Sequence, residues 1–404
     1  MNERAAIVRA AAETSDLATP APRDSSLDLA RGLIVALMAL DHVRMYFSAA
    51  QFDPVDLDHT NIAYFLTRWI THLCAPGFFF LAGLGAGLFE AQAGRRAASR
   101  FLLTRGAMLI AMEILVFGLA WSFNPGWWWF GVIWGLGAAM VAMAALVYVP
   151  RAWLFVAALL FTVLHNSLWG DLTALAPAAD ALLYSGGMAT LPGIGERVVV
   201  YPVLPWLVLM ALGFAATPWL SRGGDPGGRR RLAVGALALA LFMIVRLLGF
   251  GQPAGGGFIA GNDFGRTLMA WLNVEKYPPS LQYSLATLGI GILVVGLARR
   301  FPLLVQAGAM QPLVTFGRVP LLFYQLHLFV IHGAAWGVAT LFGWPRDYLV
   351  WSGAGPNLIP PDGYGFGLAE VYAAWAIVLA VLLPPCVAFA RVKRSSANSW
   401  LRLL

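Results

Sequence analysis

Ten apolar stretches recur along the chain, at about 27–48, 62–90, 101–121, 127–149, 151–169, 199–220, 232–250, 279–298, 312–341 and 368–390. Most are near the roughly 20 residues that a helix needs to cross the hydrocarbon core of a bilayer. Polar residues inside them keep a helical rhythm. In the first stretch Asp28, Arg31, Val35, Met38, His42 and Tyr46 follow i+3 and i+4 steps. That spacing puts Asp28, Arg31, His42 and Tyr46 on or near one face. The pattern predicts an all-α polytopic membrane protein of about ten transmembrane helices. A flexible segment 1–26 precedes the helical domain 27–390, and a tail 391–404 follows it.

Composition strengthens this reading, because 59% of the 404 residues are hydrophobic and only 12% are charged. A soluble domain carries about twice that charge, so separate soluble domains are excluded. The net charge of +7 could suggest nucleic acid, yet no run of five basic residues and no basic patch interleaved with aromatics is present. Topology accounts for it instead. The N-terminus, the segments 91–100 and 221–231, Arg151, Arg299 with Arg300, and the tail hold 17 Lys and Arg, whereas the alternate loops hold four. The excess of positive charge on one side predicts both termini in the cytoplasm of a multi-pass membrane protein. Cys74 and Cys386 lie in apolar segments, so neither a disulfide framework nor a zinc site is expected. The first 26 residues lack the apolar core of a signal peptide.

Charges at membrane depth are costly, at about 2.5–3.5 kcal/mol each near the bilayer centre, so those retained call for a partner or a use. Asp41, His42 and Arg44 lie late in the first stretch, and Arg68 and His72 share a face of the second. Pro76 stands four residues after His72, which predicts a kink there and a His72 carbonyl without its backbone donor. In the ninth stretch Tyr324 and His327 share one face, and Arg318, Gln325 and His332 form another, of which at most one can meet a central cavity. Two readings stand for Asp28 and Arg31, an interfacial pair at a helix start or part of a site. Two also stand for Lys276 beside Tyr277, an interfacial lysine in an aromatic belt or a ligand contact. Arg246 and the pair Glu113 and Arg105 are expected to tie helices together. No metal motif and no GxSxG nucleophile elbow occurs. Imidazoles and arginines near one carboxylate suit base catalysis, with cations holding the phosphates of an acyl donor. A transporter or flippase for a polar or lipid-linked sugar is the alternative class, and a plain membrane scaffold a third.

Several segments carry a family likeness. Leu27-Asp28-Leu29-Ala30-Arg31-Gly32-Leu33, Met38-Ala39-Leu40-Asp41-His42-Val43-Arg44 and Thr67-Arg68-Trp69-Ile70-Thr71-His72-Leu73-Cys74-Ala75-Pro76-Gly77 resemble bacterial proteins related to heparan-alpha-glucosaminide N-acetyltransferase. So do Tyr201-Pro202-Val203-Leu204-Pro205-Trp206, Asn273-Val274-Glu275-Lys276-Tyr277-Pro278-Pro279 and Phe316-Gly317-Arg318-Val319-Pro320 with Tyr324-Gln325-Leu326-His327. The resemblance implies a transmembrane acyltransferase that takes an acetyl group from cytoplasmic acetyl-CoA and delivers it to a sugar on the far side. Where the animal enzyme reads asparagine at the His42 position, its catalytic histidine lies further on, and here the histidine of that interval is His59. His42 is accordingly expected as the base, oriented by Asp41, with His59 as runner-up and His72 beside the thioester. Arg31, Arg44, Arg68, Lys276, Tyr277, Arg318, Tyr324 and His327 are expected to bind substrate. The partners expected are acyl-CoA, a glycan or glycolipid acceptor, membrane lipid and, as an option, a second copy of the chain. No metal and no nucleic acid is expected.

Overall fold

A helix begins where a side chain satisfies its first free N–H groups, and four of the starts here are capped in that way. In the computed structural model, which describes residues 24–172, 176–221, 225–252, 258–352 and 359–395, Asp24 accepts from Ser26 N and opens α1 (Ser25–Phe47). Asn61 caps α2 (Ile62–Ile70), which passes through a 3₁₀ turn, Thr71–Leu73, into α3 (Cys74–Ala93). Next come α4 (Arg95–Met112), a π turn at Glu113–Phe117, α5 (Gly118–Ser122), α6 (Val132–Leu146) and α7 (Arg151–Leu172). The second half holds α8 (Val203–Ala215), α9 (Arg229–Leu247), α10 (Phe264–Leu272), capped by Asp263, and α11 (Leu281–Arg300), capped by Ser280. It closes with α12 (Gln311–Arg318), α13 (Pro320–Phe342) and α14 (Leu368–Ser395).

All ten apolar stretches therefore contain helix. Among the described residues, six runs are long and apolar enough to cross a membrane, namely Ile62–Ala93, Arg95–Ser122, Arg151–Leu168, Leu281–Arg300, Pro320–Phe342 and Leu368–Ser395. Val132–Leu146 and Val203–Ala215 are shorter apolar helices. α1 is interrupted by Asp28, Arg31, Asp41 and Arg44, and α9 opens on three arginines. The expected boundaries shift at both ends, since α1 starts at Ser25 and α14 runs on to Ser395. Residues 1–23, 222–224 and 396–404, which include Arg4, Arg9, Arg23, Arg222 and Arg402, lie outside the described residues.

Three features depart from a plain set of ten helices. The loop after α7 holds an antiparallel hairpin, Gly187–Leu191 with Gly195–Val199, anchored where Phe130 N donates to Val198 O at 2.9 Å. α10 lies in the loop before α11, and Trp69 Nε1 donates to its Leu272 carbonyl at 2.8 Å. The ninth stretch breaks at Val319, after which Pro320 opens a new helix, a position where its missing N–H costs nothing.

Helices in a membrane gain little from hydrophobic burial and associate through close packing of small residues. Two crossings here depend on that. A Cβ at Gly32 would stand 1.8 Å from the Leu313 carbonyl oxygen, and one at Gly317 would stand 1.7 Å from that of Asp28, so α1 and α12 meet backbone to backbone. Gly83 on α3 and Gly213 on α8 repeat the arrangement, at 1.9 Å from Met210 O and 2.0 Å from Phe80 O.

Candidate functional site

The helix containing His72 breaks one turn before the proline, not at it. The 3₁₀ turn Thr71–Leu73 takes the bend, and Pro76 sits at the third residue of α3. The electronic consequence expected of Pro76 holds nonetheless. The His72 carbonyl, denied an N–H at position 76, accepts the Tyr283 hydroxyl at 2.8 Å, and Tyr283 is fully buried on α11. Tyr283→Phe should therefore leave a buried carbonyl unpaired and lower stability by about 1–3 kcal/mol. Thermal unfolding in detergent would read this, and an unchanged midpoint would show that the carbonyl finds another donor.

Asp41 joins α1 to α2. Its Oδ1 accepts from Arg44 at 3.0 Å and its Oδ2 from Arg68 at 2.8 Å. Arg68 also donates to Thr71 Oγ1 at 3.0 Å, holding the bend. Lys276, 8% exposed, lies close enough to act electrostatically on Asp41, His42 and His72. Asp41 is thus one carboxylate among three cations, Arg44, Arg68 and Lys276. Beside them stands Tyr277, whose ring lies 4.8 Å beneath the Lys276 ammonium and 5.8 Å edge-on from Tyr201. Arg246 anchors the segment that leads to Tyr277, since its guanidinium donates to the carbonyls of Ala270, Trp271 and Asn273 and to Gln282 Oε1. The expected tie between helices is thus made to backbone and amide oxygens.

Asp41 does not orient His42 as expected, because both of its oxygens are taken by arginines. His42 instead contacts His327, Nδ1 to Nε2, at 2.7 Å, and the two rings stack with centroids 4.9 Å apart. Trp121 closes the other side edge-on at 4.6 Å and belongs to a set of rings packed mostly edge to face, with Trp127, Trp129 and Trp351, that sequence reasoning missed. Its only sequence signal is the run Trp127-Trp128-Trp129. Behind His327, Tyr324 packs at 5.2 Å, and its hydroxyl and the Trp121 indole N–H are both buried.

From the end of the bundle where α1 begins, a cavity of about 350 Å³ runs inward between α1, α3, α4, α6, α12 and α13, with the end of α14 at its rim. Arg31, Arg105, Arg318 and Lys393 line it, its shaft is apolar, with Phe78, Leu81 and Met140, and Tyr324 also faces it. Arg318 and Tyr324 both reach it because the break at Val319 re-aims α12 against α13, which removes the restriction to one stripe. Asp28, 1% exposed, lies 3.5 Å from Arg31 and 3.8 Å from Arg318. Glu113, expected to tie helices together, turns to the start of α6 and accepts from Trp134 N at 3.2 Å.

The sequence profile described as heparan-alpha-glucosaminide N-acetyltransferase, catalytic, matches residues 23–250, more than half of the chain. The chain belongs to this family. No curated protein matches it. Membership identifies a membrane protein of an acetyltransferase family, in agreement with the long apolar helices.

The matched span of this heparan-alpha-glucosaminide N-acetyltransferase-like chain contains Arg31, Asp41, His42, Arg44, Arg68 and His72, whereas Lys276, Tyr277, Arg318, Tyr324 and His327 lie beyond it. Folding brings the two sets together. His42 meets His327, Asp41 gathers Arg44, Arg68 and Lys276 around it, and Arg31, Arg318 and Tyr324 line the cavity. His59 is not brought in. Its side chain is 69% exposed and pairs with Asp56 at 2.7 Å in the loop between α1 and α2. Among the described residues no three His, Cys, Asp or Glu side chains group as a metal site.

Proposed function

We propose that this protein moves an acyl group, acetyl in the simplest case, from cytoplasmic acyl-CoA to a sugar-type hydroxyl or amine on the outer side, with His42 as general base. One observation carries the reading: a cavity with cations along its wall and an apolar shaft reaches Tyr324, one helical turn from the His327 that touches His42. Guanidinium groups match phosphate oxygens in charge and geometry, so Arg31, Arg105, Arg318 and Lys393 suit the phosphates of the donor. The shaft suits its uncharged arm.

The topology that goes with this has ten membrane-crossing helices, the α1 start and both termini in the cytoplasm, and an inner-membrane location. The acceptor, a glycan or glycolipid, enters from the opposite end against Tyr201 and Tyr277, with Lys276, Arg44 and Arg68 to hold its polar groups. His42 takes the proton of the acceptor O–H or N–H as that atom bonds to the thioester carbonyl carbon. The C–S bond then breaks, and the CoA sulfur leaves with the electron pair and is protonated. Negative charge on the carbonyl oxygen is met by the Tyr324 hydroxyl and the Trp121 indole N–H, in a site shielded from water. His72, near Arg68, serves the thioester side.

Native mass spectrometry of the detergent-solubilised protein with a panel of acyl-CoAs, followed by acetyl transfer to amino sugars, tests the reading. Retention of acetyl-CoA and an acylated product are expected. In Arg105→Gln with Arg318→Gln, acetyl-CoA affinity should fall about tenfold or more, since a hydrogen bond to a charged group contributes about 1.5–3 kcal/mol. Affinity unchanged in that variant would remove the donor from this cavity. Sugar flux across vesicles without any transfer would replace the reading by transport.

A further inference from the structure

His327 is fully buried, and its Nδ1 meets only oxygen, the carbonyls of Tyr324 at 2.6 Å and Phe323 at 3.2 Å. A carbonyl cannot donate, so Nδ1 must carry hydrogen. Its Nε2 lies 2.7 Å from His42 Nδ1. A doubly protonated His327 would be a buried cation without a counter-charge, and such a cation is costly. Among the described residues the one His–carboxylate pair is His59 with Asp56, in the exposed loop. Asp41, Arg44, Arg68 and Lys276 act on His42, and none of them forms a hydrogen bond with His327. In a neutral His327 with hydrogen on Nδ1, Nε2 is an acceptor. The contact to His42 then requires His42 Nδ1 to donate.

We propose that His327 is a positioning residue that fixes the tautomer of His42: backbone carbonyls hold hydrogen on His327 Nδ1, His327 Nε2 holds hydrogen on His42 Nδ1, and the lone pair of His42 is confined to Nε2. The inference rests on the reading of His42 as base. Without this contact the His42 lone pair could move to Nδ1, where it would face the His327 ring. The same hydrogen bond steadies the imidazolium that forms when Nε2 accepts a proton, the part a carboxylate plays in many hydrolases. Here a second imidazole serves, which spares the site a buried charge.

The test has two arms. Histidine ¹⁵N spectra of the wild-type protein, with the His42 signals assigned by their loss in His42→Gln, should show hydrogen on Nδ1 and a bare Nε2. In His327→Leu the population should shift toward hydrogen on Nε2. For transfer, His327→Leu should lower kcat about 100-fold, within the range for a general base, with the KM for acetyl-CoA changed less than twofold. His327→Gln, whose amide oxygen can accept from His42 Nδ1–H, should recover most of that loss. A wild-type His42 with hydrogen on Nε2 overturns the proposal, as does equal loss in the Leu and Gln variants when both elute as monodisperse protein and bind acetyl-CoA. If the wild-type protein transfers no acyl group, the functional reading falls, and the spectra still decide the tautomer.

Discussion

His42→Ala should abolish acyl transfer to within about a thousandth of the wild-type rate, while acetyl-CoA still binds. A positioned general base contributes roughly 10²–10⁴-fold to rate, and His42 combines the features of one. It is half-buried, held by His327 at 2.7 Å and faced by Trp121 at 4.6 Å. Donor binding should survive because the cations that line the cavity, Arg31, Arg105, Arg318 and Lys393, are separate from His42. The informative comparison is His59→Ala. That side chain is 69% exposed and bonded to Asp56, so its removal should leave the rate within about twofold, as for surface changes away from special features. The reverse outcome, with His59→Ala inactive and His42→Ala active, would move the base to the loop. Measuring donor affinity and rate on the same preparations separates a lost base from a lost fold.

Gly317→Val should prevent α1 and α12 from packing and yield protein that no longer elutes as a single species. Even a methyl group at this position would stand 1.7 Å from the Asp28 carbonyl oxygen, less than half a normal carbon–oxygen contact. Because that oxygen belongs to backbone, no side-chain rotation relieves the clash, and the helices must separate. Overpacking typically costs about 1–3 kcal/mol where side chains can adjust, and here they cannot. Gly32 presents the reciprocal contact to Leu313, so Gly32→Val should behave alike. Separation would also carry Arg318 away from Asp28, now 3.8 Å apart, and disturb the cavity wall. Gly333, whose added Cβ would meet nothing within 4 Å, is the control, and Gly333→Ala should be neutral. Equal stability of Gly317→Val and Gly333→Ala would show that the crossing is looser than described.

Much of this site is written in local sequence. The i+3 and i+4 spacing from Asp28 to Tyr46 reports one face of α1 correctly, since backbone geometry alone sets it. Pro76 likewise dictates a His72 carbonyl without a backbone donor, because proline has no N–H to give. What local pattern could not reveal is the partner. The carboxylate that looked set to orient His42 belongs to Asp41, its chain neighbour, yet Arg44 claims one of its oxygens and Arg68 the other. A neighbour in sequence points about 100° away on a helix, so adjacency says little about contact. Glu113 and Arg105 show the same limit: eight residues apart on one helical run, they face different neighbours, α6 and the cavity.

The sequence by itself determined that this chain is helical and apolar enough for a membrane, where its helices lie, and to which family it belongs. Those properties follow from hydrophobic run length, charge placement and short motifs, each of which is local. Tertiary structure alone decided that His327, 285 positions away, supports His42, that Tyr283 supplies the donor His72 lacks, and that a break at Val319 turns Arg318 and Tyr324 into one cavity. Those are contacts between helices. Their geometry depends on how closely Gly32, Gly317, Gly83 and Gly213 let backbones approach, a property of pairs of surfaces that no single stretch of chain contains.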